Sequence, residues 1–103
     1  MMYQLVLQFR GDSLADYDAM IALEDRLTGD LGHLAKVDGH DCGADETNIF
    51  IITSDPATTF WKIRHTLEQE RRLQALTAAY RAVEGQHYTV LWPKDSPEEF
   101  TVK

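Results

Sequence analysis

The chain has 103 residues, of which 44% are hydrophobic and 26% charged, and 17 acidic side chains against 10 basic ones give a net charge of −7. This length suits one domain that buries roughly 65% of its unfolded surface in a single core, and the composition is that of a globular rather than a disordered chain. The acidic balance argues against nucleic acid and anionic membrane surfaces, which both draw on clustered cations, and fits either solubility or a basic partner protein.

Tyr3, Leu5, Leu7 and Phe9 alternate with Gln4, Val6, Gln8 and Arg10, the period of two expected of a strand with one apolar face. The opening stretch lacks a basic leader and a small-residue cleavage site, so it reads as this strand and not as a signal peptide. No apolar run approaches the ~20 residues needed to span a bilayer, and a cytoplasmic location is expected. Gly11-Asp12-Ser13 ends the strand, and Ser13 with Asp16 resembles a capping box. Tyr17, Met20, Leu23 and Leu27, with Ile21 beside them, form a helical stripe that Gly29 or Gly32 can end. A weaker strand follows from His33 to Val37, then a polar loop over 38–48. Asn48 to Thr53 is apolar on both faces, as in a central strand.

Asp55-Pro56 predicts a helix start with an N-cap and a first-turn proline. The segment from Pro56 to Glu84 has no Gly or Pro, and as one helix it would be roughly 43 Å long against about 23 Å for a seven-residue strand. Phe60, Ile63 and Leu67 share one face, whereas Leu73, Leu76, Tyr80 and Val83 share another, turned by roughly 180°. A break near 68–72, giving two helices, is therefore expected. His87 to Trp92 reads as the last strand, stopped by Pro93, with a polar tail at about 94–103.

These elements predict a single α+β domain over 1–103. The expected form is a ferredoxin-like βαββαβ sandwich: an antiparallel four-stranded sheet with strands one and three in its centre and helices on one face. Its other face would expose apolar residues of the third strand, which calls for a homodimer, a ligand or the extra helix to cover it.

The stretch "VDGHDCGADETNIFIITSDP", the Phe60, Ile63 and Leu67 positions, "AAYR" and "YTVLWPKD" resemble a family of small uncharacterised bacterial proteins with the pattern DGHDxGxxExNIF…TxDP…YTVLWP. The resemblance covers most of the chain after Lys36. It implies a bacterial single-domain protein and brings no catalytic assignment.

The loop "DGHDCGADETNIF" concentrates the reactive side chains. One cysteine excludes an internal disulfide, and zinc would need a second ligand pair. A calcium loop starting at Asp38 would set His40 and Cys42 at ligand positions and misplaces the required glycine. A phosphate-binding glycine loop is missing. Cys42 with His40 two residues away lacks a marked orienting group and oxyanion hole. His40 with Asp41 or Glu46 could act as an oriented imidazole for acid–base chemistry. Alternatively the loop is a specified turn, in which Gly39 and Gly43 supply positive φ, Asp41, Asp45 and Asn48 bond backbone amides, and Glu46 pairs with Arg64 or Arg71 or caps a helix. Trp61 lies about 100° from the Phe60 stripe and is a candidate interface anchor. The reading that results is a non-enzymatic protein- or ligand-binding regulatory domain, without metal or cofactor. It would act as a homodimer or on another protein, with His40, Glu46 and Trp61 as contact residues. The alternative is a small enzyme using His40, Asp41 and Glu46.

Overall fold

The computed structural model describes residues 1–10, 17–43, 45–93 and 100–102. The chain runs β1 (Tyr3–Arg10), α1 (Tyr17–Leu31), β2 (Ala35–Gly43), β3 (Glu46–Thr53), α2 (Pro56–Gln69), a 3-10 turn (Leu73–Ala75), β4 (Leu76–Ala82) and β5 (Thr89–Trp92). It is an α+β fold whose five strands form one sheet in the order β2-β3-β1-β4-β5, every pair antiparallel. No helix among the described residues is long and apolar enough to cross a membrane.

Strand β1 is central. Its alternation sends Leu5, Leu7 and Phe9 into the main core, against Met20, Leu23, Leu27 and Leu31 of α1 and Phe60, Ile63 and Leu67 of α2. Both helices therefore lie on one face. Val6 points the other way and packs with Ala79 and Phe100. The register pairs Leu7 with Ile49 of β3 and with Ala78 of β4, so the same face of three strands is apolar together.

The helix ends follow local chemistry. Gly32, at φ 53, ends α1, and its amide bonds the Thr28 carbonyl at 3.1 Å. The expected Ser13–Asp16 capping box lies outside the described residues. At the start of α2, Asp55 accepts from the Thr58 amide at 3.1 Å and from the Thr58 hydroxyl at 2.9 Å, with Pro56 in the first turn. The helix stops at Gln69, inside the expected interval, through a Schellman arrangement. The Arg72 amide bonds the Leu67 carbonyl at 2.8 Å and the Arg71 amide bonds the Glu68 carbonyl at 3.0 Å. Arg71 occupies the left-handed position at φ 57, which glycine usually takes.

Past this stop the sequence expectation fails. No second helix forms. The chain makes one 3-10 turn and then β4, in which Leu76 and Ala78 face the main core and Ala79 the opposite cluster. Their period of two competed with a helical stripe that fits the same residues, and the pairing with β1 decides it. The segment read as the last strand is a fifth, outer strand, four residues long. The strict four-stranded ferredoxin-like sandwich is replaced by this five-stranded sheet.

The face away from the helices is not simply open. Phe100 is buried there, its ring 4.9 Å from that of Tyr88, with Val102 beside it. Full burial of such a side chain contributes about 1.5–3 kcal/mol. The expected polar tail thus has an apolar, docked portion.

Two outcomes test these ends. Thr58, through its amide and then its hydroxyl, holds the Asp55 carboxyl below its ordinary value of 3.8. A lowered folded-state value means the cap's stabilisation is present above the unfolded value and is lost as pH falls through the folded one. Asp55→Ala should lower Tm at neutral pH, and the difference from the parent chain should close under strongly acidic conditions; an equal difference at both would rule the cap out. Arg71→Gly should stabilise by about 0.5–1 kcal/mol in urea unfolding, because it relieves the left-handed backbone at some cost in chain entropy.

Candidate functional site

The 38–48 stretch is a hairpin of two paired strands. Strand β2 runs to Gly43 and β3 begins at Glu46, leaving a two-residue connection. Asp45, at φ 61, takes the left-handed position there. Gly39, at φ 118, follows a bulge between Val37 and Gly39, where only glycine tolerates the backbone at no cost. Gly43 does not have the positive φ expected of it; Asp45 supplies the turn instead, as aspartate can.

Strand alternation then divides the candidate residues. His40 pairs in register with Ile49 and Cys42 with Thr47, whereas Asp41 pairs with Asn48 and Gly43 with Glu46. His40 and Cys42 face α1. The Nδ1–H of His40 donates to Glu24 Oε1 at 3.0 Å, and its ring stands edge-on to Tyr17 at 6.0 Å. Cys42 is exposed, with its thiol 3.7 Å from the Met20 sulfur. An imidazole whose Nδ1–H is bonded to a carboxylate is fixed in its ring orientation by that bond. Glu24 is thus the orienting carboxylate. It belongs to α1, 16 residues away, and no local signal in the sequence marks it.

Glu46 lies across the sheet from His40 and is 8% exposed. Its Oε2 accepts from Gln8 Nε2 at 3.0 Å and from Asn48 Nδ2 at 2.9 Å. Neither of the expected arginines is among these donors: Arg64 belongs to α2, over the opposite face, and Arg71 to the turn that ends it. Gln8 Nε2 also donates to Asn48 Oδ1 at 3.1 Å and to the Thr101 carbonyl at 2.9 Å. Beside this trio, Arg10 Nη2 donates to Thr77 Oγ1 at 3.4 Å. Asp41 is exposed at the edge. His40, Asp41 and Glu46 therefore do not converge, and among the described residues no three His, Cys, Asp or Glu side chains are grouped to hold a metal.

A second surface forms on the outer side of α2. Trp61 is 71% exposed. The Arg64 guanidinium stacks 4.7 Å from the Trp92 ring and 5.9 Å from the Trp61 ring. Trp92 is itself fixed, with Nε1–H donating to the Leu73 carbonyl at 3.1 Å and its ring 6.3 Å from Phe60. A groove of about 730 Å³ is lined here by Thr58, Trp61, Lys62, Arg64, His65 and Glu68. Its cations stand out against the net acidic chain. Trp61 was legible from its helical angle; Trp92 was not, because only the β4–β5 pairing brings it to α2.

No protein-family model, curated protein or solved structure matches the chain.

The two residues of the hairpin should answer differently to truncation. Glu46→Ala removes the acceptor of two buried amide donors and should cost about 1–3 kcal/mol in chemical denaturation. His40→Ala breaks a partly exposed pair and should cost no more than about 1 kcal/mol. Equal losses would mean that His40 is as structural as Glu46.

Proposed function

We propose that this protein is a non-enzymatic binding domain that engages a partner protein through the α2 groove. The observation that carries the reading is the largely exposed Trp61 ring beside an arginine already stacked between two tryptophans. Aromatic and arginine side chains dominate binding energy at protein interfaces, and an exposed ring that keeps its contacts in the free chain loses little freedom on binding. Lys62 and Arg64, set against the single carboxylate of Glu68, favour a partner segment that places carboxylates beside an apolar side chain. The separation of His40 from Glu46 supports binding over the small-enzyme alternative, since general acid–base work needs groups within reach of one reacting atom. The resemblance to small bacterial proteins adds the expectation of a bacterial source, and a small acidic domain suits a regulatory or antagonist role toward another protein.

The test uses an acidic peptide with one central leucine, titrated into isotopically labelled protein. The indole N–H signals of Trp61 and Trp92 should shift saturably, and Trp61→Ala should weaken binding at least tenfold, about 1.4 kcal/mol. Absent shifts, or shifts confined to the His40 side of the molecule, would sink the reading.

A further inference from the structure

Arg64 and Glu68 stand one turn apart on α2, a spacing at which opposite charges on a helix come within reach of each other. They do not pair. The Arg64 guanidinium lies over Trp92 and beside Trp61 instead. Among the described residues neither the Arg64 nor the Glu68 side chain makes a hydrogen bond or an ion pair. A cation that stacks on indole rings while a carboxylate waits one turn away keeps its donors unspent.

The platform under it is rigid. The Trp92 ring is held by its bond to the Leu73 carbonyl and by its contact with Phe60, which is buried. Stacking occupies the flat faces of a guanidinium and leaves its N–H groups, which point outward in the plane, for a ligand. Arg64 is half-buried, so its position is set before any partner arrives, and little freedom is lost on binding.

The surrounding charges decide which anion fits. Glu68 lies about 40° round the helix from Arg64, whereas Lys62 lies about 160° away, on the other flank of the groove. The guanidinium therefore has a carboxylate as its near neighbour and no second cation beside it. The cost of stripping water from an anion grows with the square of its charge, whereas its attraction to one cation grows only linearly. A single guanidinium offset by a nearby carboxylate thus suits a monoanion. A phosphomonoester, at roughly −1.5 to −2, would need a further cation.

We infer that Arg64 is the specificity-determining residue of the α2 groove: its fork takes one carboxylate of the partner in a two-point contact, and Glu68 turns away doubly charged groups. This rests on the groove as the binding surface, and adds the anion, the residue that selects it and the residue that rejects its rivals. Lysine cannot replace Arg64, because a point charge neither stacks flat on Trp92 nor presents a fork.

The experiment titrates two end-blocked tetrapeptides into isotopically labelled protein at neutral pH: Gly-Leu-Glu-Gly, and its counterpart with phosphoserine for glutamate. The signals read are the Arg64 Nε–H and the Trp61 indole N–H. The glutamate peptide should shift both saturably, and the phosphoserine peptide should bind at least about fivefold more weakly. Arg64→Lys should weaken the glutamate peptide about tenfold although the charge is kept, and Lys62→Ala should change it less than about twofold. Glu68→Gln should raise phosphoserine affinity about fivefold and glutamate affinity by less than half that factor. Circular dichroism checks that each variant folds. Phosphoserine binding as tight as glutamate, an unaffected Arg64→Lys variant, or an unchanged preference in Glu68→Gln each overturns the inference. A Trp61 response without an Arg64 response also overturns it and leaves the groove reading standing. An Arg64 response without a Trp61 response supports the carboxylate contact and sinks the groove reading. Silence of both signals sinks both.

Discussion

Both faces and both edges of β1 are occupied, and every other element is arranged around that fact. Its two ladders tie β3 and β4 to it in one register, and its alternation separates two environments across a single sheet. A one-residue slip would turn Leu5, Leu7 and Phe9 out of the helical core and bring Gln8 into it, where no partner waits. The helices follow from this choice, since α1 and α2 bury their stripes against the face that those three residues make apolar. They are further tied by Arg26, which bonds Glu70 at 3.2 Å and Gln69 at 2.6 Å, and by Thr66 bonded to Asp30.

The opposite environment is polar where it need not be. A carboxylate removed from water is costly unless it is hydrogen-bonded, and Glu46 Oε2 accepts from two amides on different strands. Such a group penalises any register in which Gln8 and Asn48 do not flank it. The hairpin that holds Glu46 is the stretch whose reactive composition first suggests chemistry; its two sides contribute to different surfaces instead of one site.

The legible parts of the fold are those written in local chemistry. The alternation of β1, the Gly32 stop and the Asp55-Pro56 start each need only neighbouring residues, and each is where the sequence puts it. Strand β4 escaped because its signals are indirect. Leu76, Ala78 and Ala79 are helix-tolerant residues, and the stop before them is made by an arginine in a glycine's place. The partners of the candidate residues were hidden for a different reason. Gln8 lies 38 residues from Glu46 and Trp92 is brought to Arg64 only by the sheet, so no spacing rule could join them. Trp61 needed no partner to be found, since helical geometry alone sets it off the buried stripe.

The bulge at Gly39 has a consequence for how copies of this chain meet. Strand β2 is an outer strand, and a regular outer strand offers its unpaired amides and carbonyls to any neighbour as a template for continuing the sheet. The bulge twists that edge out of register partway along, and Lys36, Asp38 and Asp41 set charges on both sides of it. At the other end, β5 offers only four residues before Pro93, which has no amide to donate. The sheet is thus closed to growth at both margins. Contacts with other chains are steered from strand addition toward side-chain surfaces, and an acidic domain of this size gains protection from fibrillar association.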